Sequence, residues 1–140
     1  MPYKKYALAL LCSISLTSCW PATEKNEPVT TATKSTSPVR HISGESEFTR
    51  TIKQGNVVVD FYADWCGPCK RLGPIIGDLA KEFSNVTFVK INIDKEDSLS
   101  TRYSVRSIPT LILFKNGKQV KRITGYQSKS ELRSLIQSTF

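Results

Sequence analysis

The sequence predicts an α/β domain in which helices flank both faces of a central mixed β-sheet of four to five strands. Short apolar runs of strand length alternate along the chain with stretches whose apolar residues recur at helical spacing. A hairpin signal, Asn116–Gly117, then joins two strand-like runs near the C-terminus. Parallel pairs from the alternating part and an antiparallel pair from the hairpin together indicate a mixed sheet.

The first half of the domain contains two predicted strands and two predicted helices. A fringe strand is expected over residues 39–42 and a helix over residues 45–53. Residues 57–62, VVVDFY, form an apolar run with β-branched residues that is too short for a helix. Residues 69–83 carry apolar side chains at helical spacing, namely Leu72, Ile75, Ile76, Leu79, Ala80 and Phe83.

The second half predicts three strands and two helices. Residues 86–93 read as a strand and residues 97–103 as a short polar helix. A strand over residues 110–114 passes through the Asn–Gly turn into a strand over residues 119–124. Ser128 and Glu131 form a capping box that opens a last helix, whose buried residues are expected to be Leu132, Leu135 and Ile136.

The N-terminal segment is typical of export rather than of a folded domain. Lys4 and Lys5 precede an apolar run over residues 6–16, which has the length of a signal peptide core and is too short to cross a bilayer. We therefore assign residues 1–18 to a signal peptide. The remaining length of the 140-residue chain has room for one domain.

The end of this segment, Leu16–Thr17–Ser18–Cys19, resembles the lipobox of bacterial lipoproteins. In that motif small residues precede a cysteine that receives lipid and becomes the new N-terminus, which predicts lipidation of Cys19. Cys12 fits less well because the bulky Leu11 precedes it. Ordinary cleavage after Thr17, leaving Cys19 as a free thiol, is the alternative, although an exposed thiol is a liability in an oxidising compartment.

The residues that follow are rich in Thr, Ser and Pro and nearly free of large apolar side chains. They cannot bury enough surface to offset the entropy of ordering them. Residues 19–40 are therefore predicted to be a lipidated cysteine and a flexible tether, with a coil reach of roughly 25 Å, and residues 41–140 to be the folded domain.

Residues 65–70, WCGPCK, place two cysteines between a buried strand and a helix. Cys66 is expected at the helix N-terminus, where free N–H groups and the helix dipole favour a thiolate. Cys69 lies one turn further in and is expected to resolve a mixed disulfide. Gly67 and Pro68 suit a first helical turn, where a missing N–H has no cost.

Residues 41–140 resemble the thioredoxin family in several motifs at once. VVVDFYADWCGPCK is similar to the family's active-site strand and loop, Lys90–Ile–Asn–Ile–Asp94 to its third strand, and Ile108–Pro109–Thr110 to its cis-proline loop. PTLILFKNGKQV and Gly125 resemble its terminal hairpin. The resemblance implies a thioredoxin fold.

The resemblance and the chemistry together imply residue roles. Cys66 is the attacking thiolate and Cys69 the resolving thiol. Asp60 is expected to be a buried carboxyl with a raised pKa that takes the proton from Cys69. Lys90 is expected to face it across the sheet and to moderate that shift. The alternative for Asp60 is a structural carboxylate at the end of the strand, hydrogen-bonded to backbone. The alternative for Lys90 is a side chain that simply faces solvent.

The resemblance also implies a substrate groove. Pro109, carried over as a cis residue, places the backbone of Ile108 beside the sulfurs, where an extended substrate segment can pair with it. An apolar rim is expected from Trp65, Gly67, Pro68 and Gly125, with plain packing as the alternative for Trp65. The family often has glycine where this chain has Ser107, so partner fit can differ there.

We expect no cofactor, because the redox-active group is the Cys66–Cys69 disulfide itself. A zinc site prefers four ligands of cysteine and histidine type, and the chain offers only His41 beyond its cysteines, two of which lie in the signal region. A purely structural disulfide is disfavoured because a bridge that closes so short a loop adds little stability.

The net charge of +8 falls to 8 − 2 = +6 when Lys4 and Lys5 leave with the signal peptide. The remaining basic residues are spread over helices and turns, which argues against nucleic acid as a partner. A basic surface near anionic lipid is the preferred interpretation.

Together these features predict a lipid-anchored, monomeric thiol–disulfide oxidoreductase on the periplasmic side of a bacterial membrane. Gly–Pro between the cysteines resembles the reducing members of the family, so we expect a membrane electron donor and exported proteins with disulfides as clients, with apocytochrome c as one candidate. An oxidase or isomerase of the same proteins is an open alternative. A non-catalytic binding module is another.

Overall fold

A computed structural model describes residues 38–140. The predicted signal peptide, the lipidation site Cys19 and the tether as far as residue 37 lie outside the described residues. The elements in chain order are β1 Val39–His41, α1 Glu45–Ile52, β2 Asn56–Tyr62, α2 Gly67–Glu82, β3 Val86–Asn92, α3 Asp97–Arg102, β4 Thr110–Lys115, β5 Lys118–Thr124 and α4 Lys129–Thr139. No helix within 38–140 is long and apolar enough to cross a membrane.

The strands form one mixed sheet in the order β1-β3-β2-β4-β5, which confirms the predicted fold class. β1, β3 and β2 run parallel, and β4 and β5 are antiparallel to their neighbours. The apolar run of β2 occupies the centre because its residues from Val57 to Phe61 are buried on both faces. β1 includes residues 39 and 40, which the predicted domain boundaries assigned to the tether.

Helices cover each face of the sheet, because alternate residues of each strand point to opposite sides. One core joins α2 and α4 to the sheet through Leu72, Ile76, Leu79, Leu132, Ile136, Val58, Phe88, Leu111 and Leu113. The other joins α1 and α3 to it through Phe48, Ile52, Leu99, Val57, Val59, Phe61, Ile91, Ile112 and Phe114. Leu135, predicted to be buried, is half-buried at the edge of the first core.

The last helix begins at the predicted capping box. The Ser128 side chain accepts a hydrogen bond from the Glu131 N–H at 3.3 Å, and the Glu131 carboxylate accepts one from the Ser128 N–H at 2.8 Å. Two otherwise unsatisfied N–H groups are thereby bonded at the start of α4.

The topology gives the sheet two distinct ends. We call the end at which β2 and β3 finish and β4 begins the site end, and the other the hairpin end. At the hairpin end Asn116 and Gly117 both have positive φ, 49° and 82°, as the tight turn requires. Asn116 N–H donates to the Gly55 carbonyl at 2.9 Å and Gly117 N–H to the Ile52 carbonyl at 2.8 Å, which fixes the hairpin against the turn between α1 and β2.

Candidate redox site

The two cysteines of the WCGPCK motif lie between the end of β2 and the first turn of α2. Cys66 is the N-cap of α2, with extended backbone (φ −79°, ψ 110°), and Pro68 occupies the first turn. The cysteines form a disulfide with Cα atoms 5.3 Å apart. The Cys69 N–H donates to Cys66 Sγ at 3.2 Å. Once the bond is reduced, this donor and the helix dipole favour the thiolate form of Cys66.

The sulfurs are recessed beneath an exposed rim. Cys66 is 5% exposed and Cys69 is 2% exposed. Both pack with Ala63 and against the partly buried Tyr62, Ile93 and Ile108. By contrast Trp65, Gly67 and Pro68 are exposed, whereas Gly125, the fourth residue of the predicted rim, is half-buried. The better shielded cysteine is the one predicted to resolve the mixed disulfide.

Asp60 is a fully buried carboxyl on the sheet face covered by α2. It shares that face with Val58, two residues earlier on β2, which belongs to the core that contains α2. Its exposed fraction is 0%, and neither carboxyl oxygen has a hydrogen-bond partner among residues 38–140. Burial raises the pKa of Asp60 to about 6, and the neighbouring Lys90 ammonium opposes that rise. The reading of Asp60 as a carboxylate bonded to backbone is therefore wrong.

Lys90 is the register partner of Asp60 on β3. Its Nζ lies 3.6 Å from Asp60 Oδ2, beyond hydrogen-bond length, and its side chain is only 16% exposed. The same Nζ lies 4.4 Å from the centre of the Tyr62 ring. The structure thus places Lys90 opposite Asp60, on the neighbouring strand, and away from open solvent; its contact with the Tyr62 ring was not predicted. A buried proton-binding group and a nearby cation can together set a pKa close to neutrality.

The Ile108–Pro109 peptide bond is cis. Pro109 is buried, and Ile108 packs against the cysteines. Neither the N–H nor the carbonyl of Ile108 is hydrogen-bonded to any of the residues that the structure describes. A substrate strand can therefore pair with these groups beside the disulfide.

The loop that carries the cis-proline is held in place by two hydrogen bonds. The Gly125 N–H donates to the Pro109 carbonyl at 2.8 Å, and Gly125 has a φ of 92°, a conformation that favours glycine. The Thr110 hydroxyl donates to the Ser107 carbonyl at 2.8 Å. Ser107 itself is exposed, so a side chain is present at the substrate-facing loop where the family often has glycine.

Sequence reasoning missed the residue that positions Trp65. The indole is 68% exposed, and its Nε1 donates to Asp94 Oδ2 at 2.9 Å. Asn92 similarly donates to Asp64 Oδ2 at 3.0 Å. The available signal was the location of Asn92 and Asp94 at the end of β3, which parallel pairing places beside the end of β2. Because Trp65 is exposed and tethered, the plain-packing interpretation is wrong.

These residues assemble the parts of a dithiol–disulfide exchange site at the site end of the sheet. They comprise a cysteine at a helix N-terminus, a second cysteine behind it, a buried proton acceptor and a backbone edge for the substrate. Within residues 38–140 no group of three or more His, Cys, Asp and Glu side chains is arranged to hold a metal ion.

Comparison with known proteins finds the same similarity in a family model and in individual relatives. A family model described as Thioredoxin matches residues 39–138. A thioredoxin from Chlamydia pneumoniae is 50% identical over 98 residues, covering 70% of this chain and 95% of that protein. A thioredoxin from Mycoplasmoides gallisepticum is 42% identical over 99 residues, covering 70% of this chain and 99% of that protein.

Solved structures agree with the sequence relatives. A thioredoxin from Halobacterium salinarum NRC-1, solved as a single-residue mutant, superposes with a TM-score of 0.68 at 38% identity, covering 75% of this chain and 95% of that one. The oxidized form of mitochondrial thioredoxin 3 from Saccharomyces cerevisiae does so with a TM-score of 0.67 at 32% identity, covering 71% and 94%.

Proposed function

The chain belongs to the thioredoxin family, and we propose that it acts outside the cytoplasm as a membrane-tethered reductase of exported proteins. Membership makes it a thiol–disulfide oxidoreductase that acts on disulfide-containing proteins through a redox-active cysteine pair, with no external cofactor. The location, the anchor and the direction of electron flow are the proposed parts.

The proposed reaction begins with the reduced enzyme. The Cys66 thiolate attacks one sulfur of a substrate disulfide, forms a mixed disulfide and releases the first substrate thiolate. Cys69 then loses its proton to the Asp60 carboxylate and attacks Cys66 Sγ, which releases the second substrate thiolate. Two electrons pass to the substrate, both released thiolates can take up protons, and the enzyme is left with the Cys66–Cys69 disulfide seen in the structure.

One observation carries the assignment of these roles. Asp60 is fully buried beneath α2, its oxygens have no hydrogen-bond partner among residues 38–140, and its pKa is raised to about 6. A carboxyl in that state is suited to exchange a proton near neutrality. The free backbone edge at Ile108 supports an extended protein segment as the substrate.

The direction is proposed from the residues between the cysteines. Gly67–Pro68 is the dipeptide of the reducing members of the family, and thioredoxin itself has a reduction potential of about −270 mV, against about −120 mV for a strong oxidant. A reductant outside the cytosol has to be recharged. We therefore include a membrane electron donor that reduces the Cys66–Cys69 disulfide, and exported proteins, apocytochrome c among them, as clients.

The location is proposed from residues 1–38, which precede the family match. The relatives named above are matched over 95% and 99% of their own lengths, yet they cover only 70% of this chain. The N-terminal segment is thus additional to the thioredoxin domain. Its signal-like run, its lipobox-like Leu16–Cys19 and its tether-like composition support an anchor at the periplasmic face of a membrane, and we propose that the anchored protein is a monomer.

The equilibrium potential against glutathione tests the direction of flow, together with reduction of insulin in the presence of dithiothreitol. We expect insulin to be reduced and a potential close to that of thioredoxin. A potential near that of the strong oxidants would support the oxidase alternative and overturn the reductase.

Trapping with Cys69→Ser tests whether the site turns over at all. The variant should accumulate mixed disulfides through Cys66 with envelope proteins, because the resolving thiol is gone, and the matched Cys66→Ser variant should accumulate none. Binding of the same proteins without any covalent adduct would instead indicate a binding module. Metabolic labelling with a fatty acid, abolished by Cys19→Ser, tests the anchor.

A further inference from the structure

The hairpin end of the domain carries a group of lysines that have no acidic partner within residues 38–140. Lys115 and Lys118 flank the Asn116–Gly117 turn, and the backbone of Lys53 lies against Gly117. All three side chains are exposed, and none forms an ion pair with any other residue in the range 38–140. We call Lys53, Lys115 and Lys118 the hairpin lysines.

Their arrangement does not serve the stability of the fold. Lys115 and Lys118 are direct register partners in the antiparallel ladder, and like charges directly opposite each other are destabilising. Residues 98–130, which include both lysines, contain no Asp or Glu that could offset this repulsion. Two lysines kept opposite each other despite this repulsion indicate that their charges interact with something outside the domain.

The site end has a different charge balance. Asp64, Asp94 and Asp97 lie near the ends of β2 and β3 or just beyond them, together with Lys70 and Lys95. Carboxylates and basic residues therefore occur together at the site end, whereas no carboxylate within residues 38–140 pairs with the hairpin lysines at the end remote from Cys66. Lysines on an edge strand also discourage sheet-to-sheet aggregation, which accounts for Lys118 on β5 but not for Lys53, which follows α1.

The chain enters the domain at the same end as these lysines. β1 is parallel to β3, with Val39 paired to Phe88 near the beginning of β3. The first residue of β1 thus lies nearer the hairpin end than the site end, level with Val58 on β2, and a tether that precedes it joins the domain on that side. Cys66 follows the other end of β2, a strand of seven residues that spans roughly 20 Å.

We propose that the hairpin lysines bind an anionic phospholipid surface and hold the domain with the redox site directed away from the membrane. The inference rests on the membrane anchor of the proposed function and adds to it an orientation and a lipid class. A flexible tether alone leaves the domain free to turn, whereas lysine contacts at the attachment end favour one orientation. A lysine near an anionic surface contributes about 1 kcal/mol, which is about fivefold in the binding equilibrium.

Amine acetylation of the full-length chain on vesicles tests the orientation. Mass spectrometry would compare each lysine on vesicles of phosphatidylcholine with phosphatidylglycerol and on vesicles of phosphatidylcholine alone. We expect protection of the hairpin lysines only on the anionic vesicles, lost at about 1 M salt, where the screening length is about 3 Å. Lys95, exposed at the site end, is the internal control and should react equally on both.

Every other pattern overturns the inference. Equal reaction of all these lysines, protection of Lys95 to the same degree, or protection that persists on neutral vesicles would each contradict an electrostatic contact at the hairpin end. Protection that appears only when envelope proteins are added would identify a protein partner instead of lipid.

Charge-neutralising variants give a second measurement. Lys115→Gln with Lys118→Gln should lower the protection of Lys53 about 25-fold, as two factors of about five, whereas Lys95→Gln should leave it unchanged. Both variants should reduce insulin in solution at the normal rate. If the unaltered chain failed to reduce insulin or to associate with neutral vesicles, the result would count against the proposed function. The pattern of lysine acetylation on anionic vesicles tests the orientation separately.

Discussion

Lys90 Nζ lies 3.6 Å from Asp60 Oδ2 on the neighbouring strand, in a part of the sheet where the carboxyl has no exposed surface. The distance is too long for a hydrogen bond, so the lysine lowers the pKa of the carboxyl chiefly through its charge and leaves the larger effect of burial in place. The pair sets a proton-binding group near neutrality beneath the helix that carries both cysteines.

Replacing Asp60 by Asn should slow the resolving step. The amide keeps the shape of the carboxyl but cannot take the proton of Cys69, so release of the reduced substrate should slow about 100-fold, the low end of what a positioned general base contributes. Formation of the mixed disulfide by Cys66 should be unaffected. Stopped-flow measurement of both steps separates them, and an unchanged release rate would remove Asp60 from the mechanism.

The same substitution should change how stability depends on pH. Because the pKa of Asp60 is raised from 3.8 to about 6 in the folded chain, the folded state binds more protons than the unfolded state between these values. The free energy of unfolding therefore falls as pH rises through this window, by about 3 kcal/mol in total. Asp60→Asn should lack this fall and be the more stable protein at pH 7.

Urea unfolding of both oxidised proteins across this pH range measures the difference. Exposed carboxylates such as Glu82 and Glu131, whose pKa values are lowered by hydrogen bonds, contribute equally to the two curves and cancel in the difference. If the free energies of unfolding of the two proteins changed with pH in the same way, the pKa of Asp60 would not be raised by burial.

Replacing Lys90 by Met should raise the pKa of Asp60 above its present value of about 6, because the cation that opposes the effect of burial is removed. Methionine can keep an apolar contact with the Tyr62 ring. The midpoint of the pH dependence of the resolving step, or of the carboxyl signal in an NMR titration, should move upward. Lys95→Met is the matched control and should not move it, and an unchanged midpoint in Lys90→Met would contradict the coupling.

Removing Asp94, the hydrogen-bond acceptor of the Trp65 indole, should weaken substrate binding and leave the rates of thiol–disulfide exchange unchanged. Asp94→Ala eliminates the 2.9 Å hydrogen bond that holds the exposed ring. A net loss of about 1 kcal/mol corresponds to a rise in KM for insulin of about fivefold, with kcat unchanged. If the bond is the cause, Trp65→Phe combined with Asp94→Ala should be no worse than Trp65→Phe alone. Additive effects would show that the two residues act separately.

The sequence by itself was sufficient for the elements and for the cysteine pair. The apolar run of β2, the helical spacing in α2, the Asn116–Gly117 turn and the Ser128 capping box are local signals, since each depends on residues that are close together in the sequence. The C-x-x-C spacing likewise sets Cys66 at a helix start and Cys69 one turn behind it. For this reason the fold class and the redox chemistry could be predicted from the amino-acid pattern alone.

Only the tertiary structure decided what surrounds that pair. Trp65 and Asp94 are 29 positions apart in the chain, and they meet because β3 runs parallel beside β2. The same strand order sets Lys90 against Asp60, a pairing that the family resemblance had implied, and leaves the carboxyl without a hydrogen bond among residues 38–140. It also brings the start of β1 and the hairpin lysines to the end opposite Cys66. Contacts of this kind depend on which strands become neighbours, and no local pattern of residues encodes that choice.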